Sequence, residues 1–405
     1  MIRIKPSIEF EENCPRCEGG LVARKVLWQG IHVCVVSECS SCRAEIIADL
    51  KVGQALFTPY RVDLKKGLLF GDDGQCYWFG TPLLDSLQHP DNNQGISLNV
   101  ETYRRHSQVI ILNCIDFLYG HSLLKLLNAD FHLRKNPDLG LIVIAPRCLL
   151  WMVPEGVAEV WTINVPLSKS QNFYPRLDQL IQAECERFNE IYLSPAHSHP
   201  AGFNITRFTG IERHDFSSER FRITFIWRED RPWFVRRIWI RIGRRLSVVK
   251  SLLLAWQNFK VTMLFSALRT SFPAAEFTIA GLGTATAFPT WVDDRRVDVY
   301  DDEKEHQMCR VYSESRLVIG VHGSNMLLPS AHAGMTIDLT PDDRWPNMAQ
   351  DMLYQETDSR MAAYRYRYLP LGVKLSTLAL IANRQISGLS WFKNAMTDRI
   401  EERDR

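Results

Sequence analysis

The sequence predicts an α/β protein in which a small cysteine-rich module precedes two Rossmann-like domains that face each other. Three observations support this fold class. Two C-x2-C pairs lie within the first 50 residues. Apolar, β-branched runs then alternate with helical patterns from residue 108, and a second round of this alternation begins at residue 221. Because strands that alternate with helices form parallel sheets covered on both faces, two rounds predict two such domains.

The four clustered cysteines are Cys14, Cys17, Cys39 and Cys42, with 21 residues between the two pairs. Each C-x2-C turns two thiolates toward one ion, so two pairs at this separation predict a tetrahedral zinc site. Strand-like runs between the pairs complete the pattern of a zinc ribbon. With four protein ligands no coordination position is open, and we expect a structural Zn²⁺.

Length and charge limit the classes of protein to which the chain can belong. Its 405 residues suit two domains with an appendage, which we place at 1–50, 51–215 and 216–405. A net charge of +2 argues against wholesale wrapping of nucleic acid, and we expect no specific nucleic-acid partner. The N-terminus lacks the apolar core of a signal peptide, so we expect a cytoplasmic protein, peripheral to the inner membrane face if it contacts lipid.

A candidate phosphate site lies in the run VIGVHGSNMLLPSAHAG. An apolar strand here ends in His322, Gly323, Ser324 and Asn325 just before a predicted helix. Backbone amides at a helix N-terminus favour a diphosphate, and glycine allows the backbone to approach it closely. His322 can add a hydrogen bond or a positive charge to the departing phosphate.

Two further segments are expected at the same ligand-facing edge. Arg228 directly follows the apolar run FRITFIW, where a first strand delivers residues to the crevice outside the sheet. Its guanidinium can grip a pyrophosphate with two parallel bonds. Gly281 and Gly283 end another strand and are predicted to border the base or ribose. A solvated turn, in which Glu229 and Asp230 pair with the arginines, is the alternative for Arg228.

The order of these elements resembles glycosyltransferase family 61. The similar features are Glu303 and His306 opening a helix, Ser315–Arg316 before the strand VIGVHG, a small-residue-rich helix and the strand TIDL. The resemblance implies a GT-B type fold with the nucleotide sugar bound in the C-terminal half and the acceptor toward the N-terminal half. It implies hexosyl or pentosyl transfer to a glycan or lipid-linked saccharide in surface polysaccharide biosynthesis. The alternative is a non-catalytic binding module whose zinc ribbon recruits a protein or nucleic acid.

A sugar transfer that inverts the anomeric centre needs a general base for the acceptor hydroxyl. Asp116 and His121 follow the first strand of the N-terminal sheet and are both chemically able, and their spacing does not decide between them. We expect no catalytic metal, because helix dipole, Arg228 and His322 together can replace its charge.

The segment 231–250 combines cations with aromatic and aliphatic residues. Its cations are Arg231, Arg236, Arg237, Arg241, Arg244, Arg245 and Lys250. Such a composition suits peripheral contact with an anionic membrane, and it equally suits an anionic glycan, a nucleic acid or a solvated helix face.

Overall fold

A computed structural model of the chain describes residues 1–71, 78–200, 202–348, 352–353 and 358–401, without the side chains of Arg237 and of 397–401. The chain divides into two compact units, Met1–Phe208 and Thr209–Arg405. Both units contain sheets and helices, so the predicted α/β class is confirmed. The facing arrangement of two Rossmann-like domains stays a prediction.

The first sheet of unit 1 is antiparallel and follows chain order. Its strands are β2 (Leu21–Trp28), β3 (Val33–Cys39), β4 (Glu45–Asp49), β5 (Arg61–Asp63) and β6 (Leu68–Phe70). β3 is buried along almost its whole length, as its run of valines requires. The four cysteines lie at one end of β2–β4, and the sheet continues to Phe70, past residue 50.

The second sheet of unit 1 has six strands in the order β1-β11-β8-β9-β10-β7. Four inner strands are parallel: β8 (Gln108–Asn113), β9 (Gly140–Pro146), β10 (Glu159–Ile163) and β11 (Glu190–Leu193). The edge strands β1 (Ile2–Lys5) and β7 (Leu98–Thr102) are antiparallel to their neighbours. The helices are α1 (Gly80–Gln88), α2 (Tyr119–Leu126), α3 (Ala129–Lys135) and α4 (Pro175–Cys185), with α5 (Thr206–Thr209) at the unit boundary.

Unit 2 contains a fully parallel six-stranded sheet. Its strands are β12 (Arg222–Arg228), β13 (Glu276–Leu282), β14 (Asp293–Asp294), β15 (Ser315–Val321), β16 (Thr336–Thr340) and β17 (Tyr366–Pro370). They are arranged β14-β13-β12-β15-β16-β17. Numbered along the chain this is 3-2-1-4-5-6, the strand order of doubly wound sheets, in which ligands bind where the order reverses. The reversal lies between the carboxyl ends of β12 and β15.

The helices of unit 2 cover a core in which Phe225, Trp227 and Trp233 are fully buried. They are α6 (Arg237–Gly243), α7 (Ser247–Ser271), α8 (Asp302–Ser313), α9 (Leu327–His332), α10 (Ser359–Arg365) and α11 (Leu375–Glu401). One face of α7 contributes Leu254, Val261 and Phe265 to this core. Among the described residues, no helix has both the length and the apolar character needed to cross a bilayer.

Candidate functional site

The four cysteines predicted as metal ligands lie together. Their sulfur atoms are all within 4.8 Å of one another. Cys14 Sγ is 3.7 Å from Cys42 Sγ, and Cys17 Sγ is 3.4 Å from Cys39 Sγ. Four zinc–sulfur bonds of about 2.3 Å in a tetrahedron separate the sulfurs by about 3.8 Å. The cluster therefore suits one structural zinc ion.

The backbone around the cluster repeats itself in the two C-x2-C segments. The residue after each second cysteine, Glu18 and Arg43, has a φ near +60°. Each donates its amide to the carbonyl of the first cysteine of its pair. The amide of Cys42 donates to Cys39 Sγ, and this bond together with the amide of Ser41 lowers the pKa of the Cys39 thiol to about 6. The amides thus favour the thiolate that binds metal.

The reversal point of the parallel sheet in unit 2 brings several predicted residues together. Arg228 ends β12, and its Nη1 donates to Asn325 Oδ1 at 2.5 Å. Its Nε donates to Asp230 Oδ1 at 2.8 Å. Gly323 lies beside these groups: a Cβ there would be 2.7 Å from Arg228 Nη1 and 3.2 Å from Arg231 Nη1. Glycine at 323 is what allows two guanidinium groups to converge on the turn.

A cavity of about 230 Å³ lies at this edge and is lined by apolar residues together with four arginines and one histidine. Its charged and titratable lining residues are Arg231, Arg241, Arg244, Arg344 and His322. Desolvation and the neighbouring Arg228 lower the pKa of Arg231, with smaller effects from Arg344 and Arg244. Guanidinium groups that border one cavity are suited to hydrogen-bond an anionic group such as a phosphate.

Within the described part of the chain, Arg231, Arg241 and Arg244 make no ion pair, which sets them apart from the arginine at the opposite end of β12. Arg222 is buried there among three carboxylates, at 2.8 Å from Glu276, 3.1 Å from Glu314 and 3.5 Å from Asp293. The fold therefore neutralises Arg222, whereas Arg231, Arg241 and Arg244 have no carboxylate within ion-pair distance among the described residues.

His322 adjoins the cavity from a buried position. Its Nδ1 lies 3.2 Å from Asp338 Oδ2 and 3.0 Å from the Tyr368 hydroxyl oxygen. Tyr366 donates its hydroxyl to the same Asp338 oxygen at 2.9 Å. Asn347 Nδ2 lies 3.4 Å from His322 Nε2. A carboxylate at Nδ1 orients the ring.

The predicted helix after Gly323 is short. Ser324–Met326 form a 3-10 turn, and α9 adds only six residues. Ser324 is exposed and Asn325 is partly buried. Because so short a helix has a small macrodipole, the arginines rather than the helix terminus supply most of the positive charge.

The two glycines of β13 have different roles. Gly281 is buried, and a Cβ there would lie 2.3 Å from the Trp227 carbonyl oxygen, so this glycine permits close packing of β13 on β12. Gly281 lines neither this cavity nor its neighbour. Gly283 has a φ of +105° and lets the Glu229 carboxylate approach the backbone.

Gly283 lines a second cavity of about 470 Å³ that shares Arg244 with the first. Glu229 and Asp298 also line it. Glu229 accepts from the amide of Ala285 at 3.0 Å and pairs with Lys250 at 3.2 Å. Carboxylates held in this way can accept hydrogen bonds from hydroxyl groups of a ligand.

Asp116 and His121, the two candidate bases, lie at the carboxyl end of β8 in unit 1. Asp116 is fully buried, with Oδ2 3.0 Å from Lys125 Nζ and Oδ1 3.4 Å from His121 Nδ1. Burial opposes ionisation of Asp116, but Lys125 and His121 outweigh it and hold the pKa of this carboxyl well below its usual range. Such a carboxylate is a weak proton acceptor, whereas His121 remains partly exposed.

Four residues of the candidate sites in the two units are not predicted from the sequence. Lys125 sits in the apolar run SLLKLL, which gives no sign that its ammonium is buried. Tyr366 and Tyr368 lie on the edge strand β17, far along the chain from His322. Arg344 follows β16, so the rule that singled out Arg228, namely a cation just after a parallel strand, also applies to it.

Comparisons with known proteins returned no matching family model, no matching curated protein and no matching solved structure.

Proposed function

We propose that this chain is a glycosyltransferase that moves a sugar from a nucleotide-activated donor to a glycan or lipid-linked saccharide. The observation that carries the proposal is the arginine-lined cavity at the reversal point of the unit 2 sheet. The 3-2-1-4-5-6 strand order is that of Rossmann-like nucleotide-binding domains, which supports a donor role for unit 2. The resemblance to glycosyltransferase family 61 supports a sugar nucleotide as the ligand.

The diphosphate of the donor occupies the first cavity in this proposal. Arg231, Arg241 and Arg244 neutralise its charge, and His322 stabilises the negative charge that grows on the leaving nucleotide. Fixed cations that do this need no divalent ion, so transfer is independent of Mg²⁺. Arg228 is held against Asn325 and Asp230 and contributes by positioning the turn at Gly323.

The nucleoside occupies the second cavity, next to the diphosphate. Arg244 lines both cavities and connects the two parts of the ligand. Glu229 and Asp298 accept hydrogen bonds from ribose hydroxyl groups, and Gly283 leaves room for the Glu229 carboxylate.

Unit 1 serves as the acceptor half, and His121 serves as the general base. Its Nδ1 faces Asp116, which orients the ring so that Nε2 can take the proton of an acceptor hydroxyl. Asp116 itself is engaged by Lys125 and does not accept the proton.

Release of nucleoside diphosphate from a panel of UDP, GDP and CDP sugars, with and without saccharide acceptors, tests the proposal. We expect turnover of one donor class without added Mg²⁺. His322→Ala and Gly323→Ala should lower turnover at least about tenfold, because each removes or displaces a group at the phosphate. Gly210→Ala is the matched control, since Gly210 also has a positive φ but a Cβ there would meet no other atom within 4 Å.

Binding of a nucleotide without turnover of any donor would contradict the enzymatic proposal and favour a non-catalytic binding module. Equal turnover by Gly323→Ala and Gly210→Ala would contradict the assignment of the diphosphate to this cavity.

A further inference from the structure

Helix α7 exposes a continuous apolar stripe on the side that faces away from the core. Its residues are Val248, Leu252, Trp256, Phe259 and Met263, each between 44% and 71% exposed. Their spacing of three and four residues places them on one helix face, and the stripe is about 22 Å long at 1.5 Å per residue. The opposite face is already buried in the core of unit 2.

Helix α6 extends this surface. It packs against α7, and Gly243 permits the close approach, because a Cβ there would be 3.1 Å from Leu253 Cδ1. Val235, Ile238 and Trp239 in and before α6 are also exposed. A set of large apolar side chains this extensive on a protein surface marks an interaction site.

The segment that contains α6 and α7 carries positive charges and no negative ones. Residues 231–275 contain nine Lys and Arg residues and no Asp or Glu, although the whole chain carries a net charge of only +2. Arg236, Arg241, Arg244, Arg245 and Lys250 are exposed beside the apolar side chains. The complementary surface must therefore be anionic and must also accept hydrocarbon side chains.

We propose that α6 and α7 dock on an anionic lipid bilayer, lying in the interface with the apolar stripe among the acyl chains. Tryptophan and arginine are suited to the headgroup region, where an apolar body and a polar group are both satisfied. A second copy of this chain would present the same positive charge and would be repelled. The branched aliphatic side chains Val248 and Leu252 have no use on a nucleic-acid backbone but gain free energy in lipid.

Docking on a bilayer would also place the arginine-lined cavity close to the membrane surface. Arg241 and Arg244 belong to the segment that docks and line the cavity at the end of the sheet. A lipid-linked saccharide is presented at such a surface. The docking itself rests on the exposed stripe and the charge, independently of the proposed transfer reaction.

Co-sedimentation of the full chain with vesicles tests the docking. We expect binding to vesicles of phosphatidylcholine mixed with phosphatidylglycerol, weakened by salt, and little binding to phosphatidylcholine alone. Leu252→Gln with Trp256→Gln should weaken binding roughly tenfold or more, because two apolar side chains lose their burial in lipid. Leu380→Gln with Trp391→Gln is the matched control, since both residues are exposed on α11.

A second pair of variants tests the electrostatic contribution to vesicle binding. Arg236→Glu with Arg245→Glu should weaken binding at least about fivefold per charge removed, whereas Arg310→Glu with Arg384→Glu, exposed on α8 and α11, should not. Neither Arg236 nor Arg245 lines a cavity described above, so nucleotide-dependent thermal shifts should be unchanged.

Three results would overturn the docking proposal. One is equal loss of vesicle binding in the stripe variant and its α11 control. Another is a dimer, seen by sedimentation equilibrium, that the stripe variant dissociates while no vesicle binding occurs. The third is tighter binding of a single-stranded oligonucleotide than of anionic vesicles, because the partner would then be a nucleic acid.

Discussion

The buried pair of Asp116 and Lys125 makes unit 1 sensitive to a single carboxylate. Lys125 Nζ lies 3.0 Å from Asp116 Oδ2 and donates to the carbonyl of Ile115 at 2.8 Å. Asp116→Asn removes the countercharge of a fully buried ammonium, and we expect a loss of about 3–5 kcal/mol in the free energy of unfolding. Denaturant titration of the purified variant measures this loss.

Two further variants separate the charge effect from packing. Asp116→Asn combined with Lys125→Met removes both charges and should recover much of the lost stability. His121→Gln should cost little stability, because this side chain is partly exposed. A double variant as unstable as Asp116→Asn alone would show that an unpaired charge is not the cause.

At the level of single residues, position along a strand was a better guide than chemistry. The sequence predicts Arg228, Gly323 and Asn325 as site residues because they follow strands of a parallel sheet, and the structure places them in contact. Burial could not be predicted in the same way. Which of Asp116 and His121 can act as the base depends on Lys125, because its buried ammonium pairs with Asp116. The sequence gives no sign of this pair.

The cysteine knuckles are the element whose stability depends most directly on a ligand. We expect one zinc ion per chain, measured by elemental analysis. Chelation or Cys17→Ser should remove it and cost several kcal/mol, because the short strands β2–β4 close around the cluster. Cys148→Ser, outside the cluster, should keep the zinc. Full stability of zinc-free protein would contradict a structural role.

Helix α9 gives unit 2 a dependence on pH. All six of its residues are buried, including His332, and burial lowers the pKa of His332 to about 3, with Arg213 and His306 adding to the effect. An unfolded chain protonates this histidine near its ordinary pKa of 6.5. The contribution of neutral His332 to the free energy of unfolding is therefore complete above pH 6.5. It is lost as the pH falls toward 3, by at most about 3–5 kcal/mol.

The slope of unfolding free energy against pH, between about 7 and 4, measures this contribution. His332→Gln should flatten the slope relative to the native chain, while His89→Gln, at an exposed position, should leave it unchanged. Identical slopes in the native chain and His332→Gln would show that His332 does not bind a proton on unfolding.

The sequence predicts the strands with long apolar runs correctly, but it does not predict the short helix α9 or the short strands β5 and β6. The strands at 109–114 and 221–230 are present as β8 and β12, because their apolar β-branched runs are buried on both faces. The helix predicted after Gly323 is divided into a 3-10 turn and the short helix α9. The sequence around Pro329 does not predict this division. The strands β5 and β6 pair with β4 by contacts that no local pattern contains.

On the scale of the whole molecule, charge is distributed unevenly along the chain. A net charge of +2 conceals a segment, 231–275, with nine cations and no acid. The basic stretch to residue 250 is visible in the sequence, but which of its cations line the cavity is not. Only the fold separates Arg231, Arg241 and Arg244, which line the cavity, from Arg236 and Arg245 on the outer surface.

The sequence shows two rounds of strand and helix, and the chain forms two compact units that divide after Phe208. Sheet order was not accessible, because neighbours such as β12 and β15 are brought together by crossovers of many residues. The 3-2-1-4-5-6 order therefore adds an independent reason to locate the ligand at the carboxyl ends of β12 and β15.

A thermal-shift titration with UDP, GDP, CDP and their sugars, set against nucleosides without phosphate, tests the central claim most directly. We expect one nucleoside diphosphate to stabilise the chain, by about 2.7 kcal/mol at a hundredfold excess over its Kd. Arg244→Gln, which alters both cavities, should abolish the shift, and Arg384→Gln should preserve it. Absence of stabilisation by every nucleotide, or an undiminished shift in Arg244→Gln, would contradict a nucleotide-sugar site in unit 2.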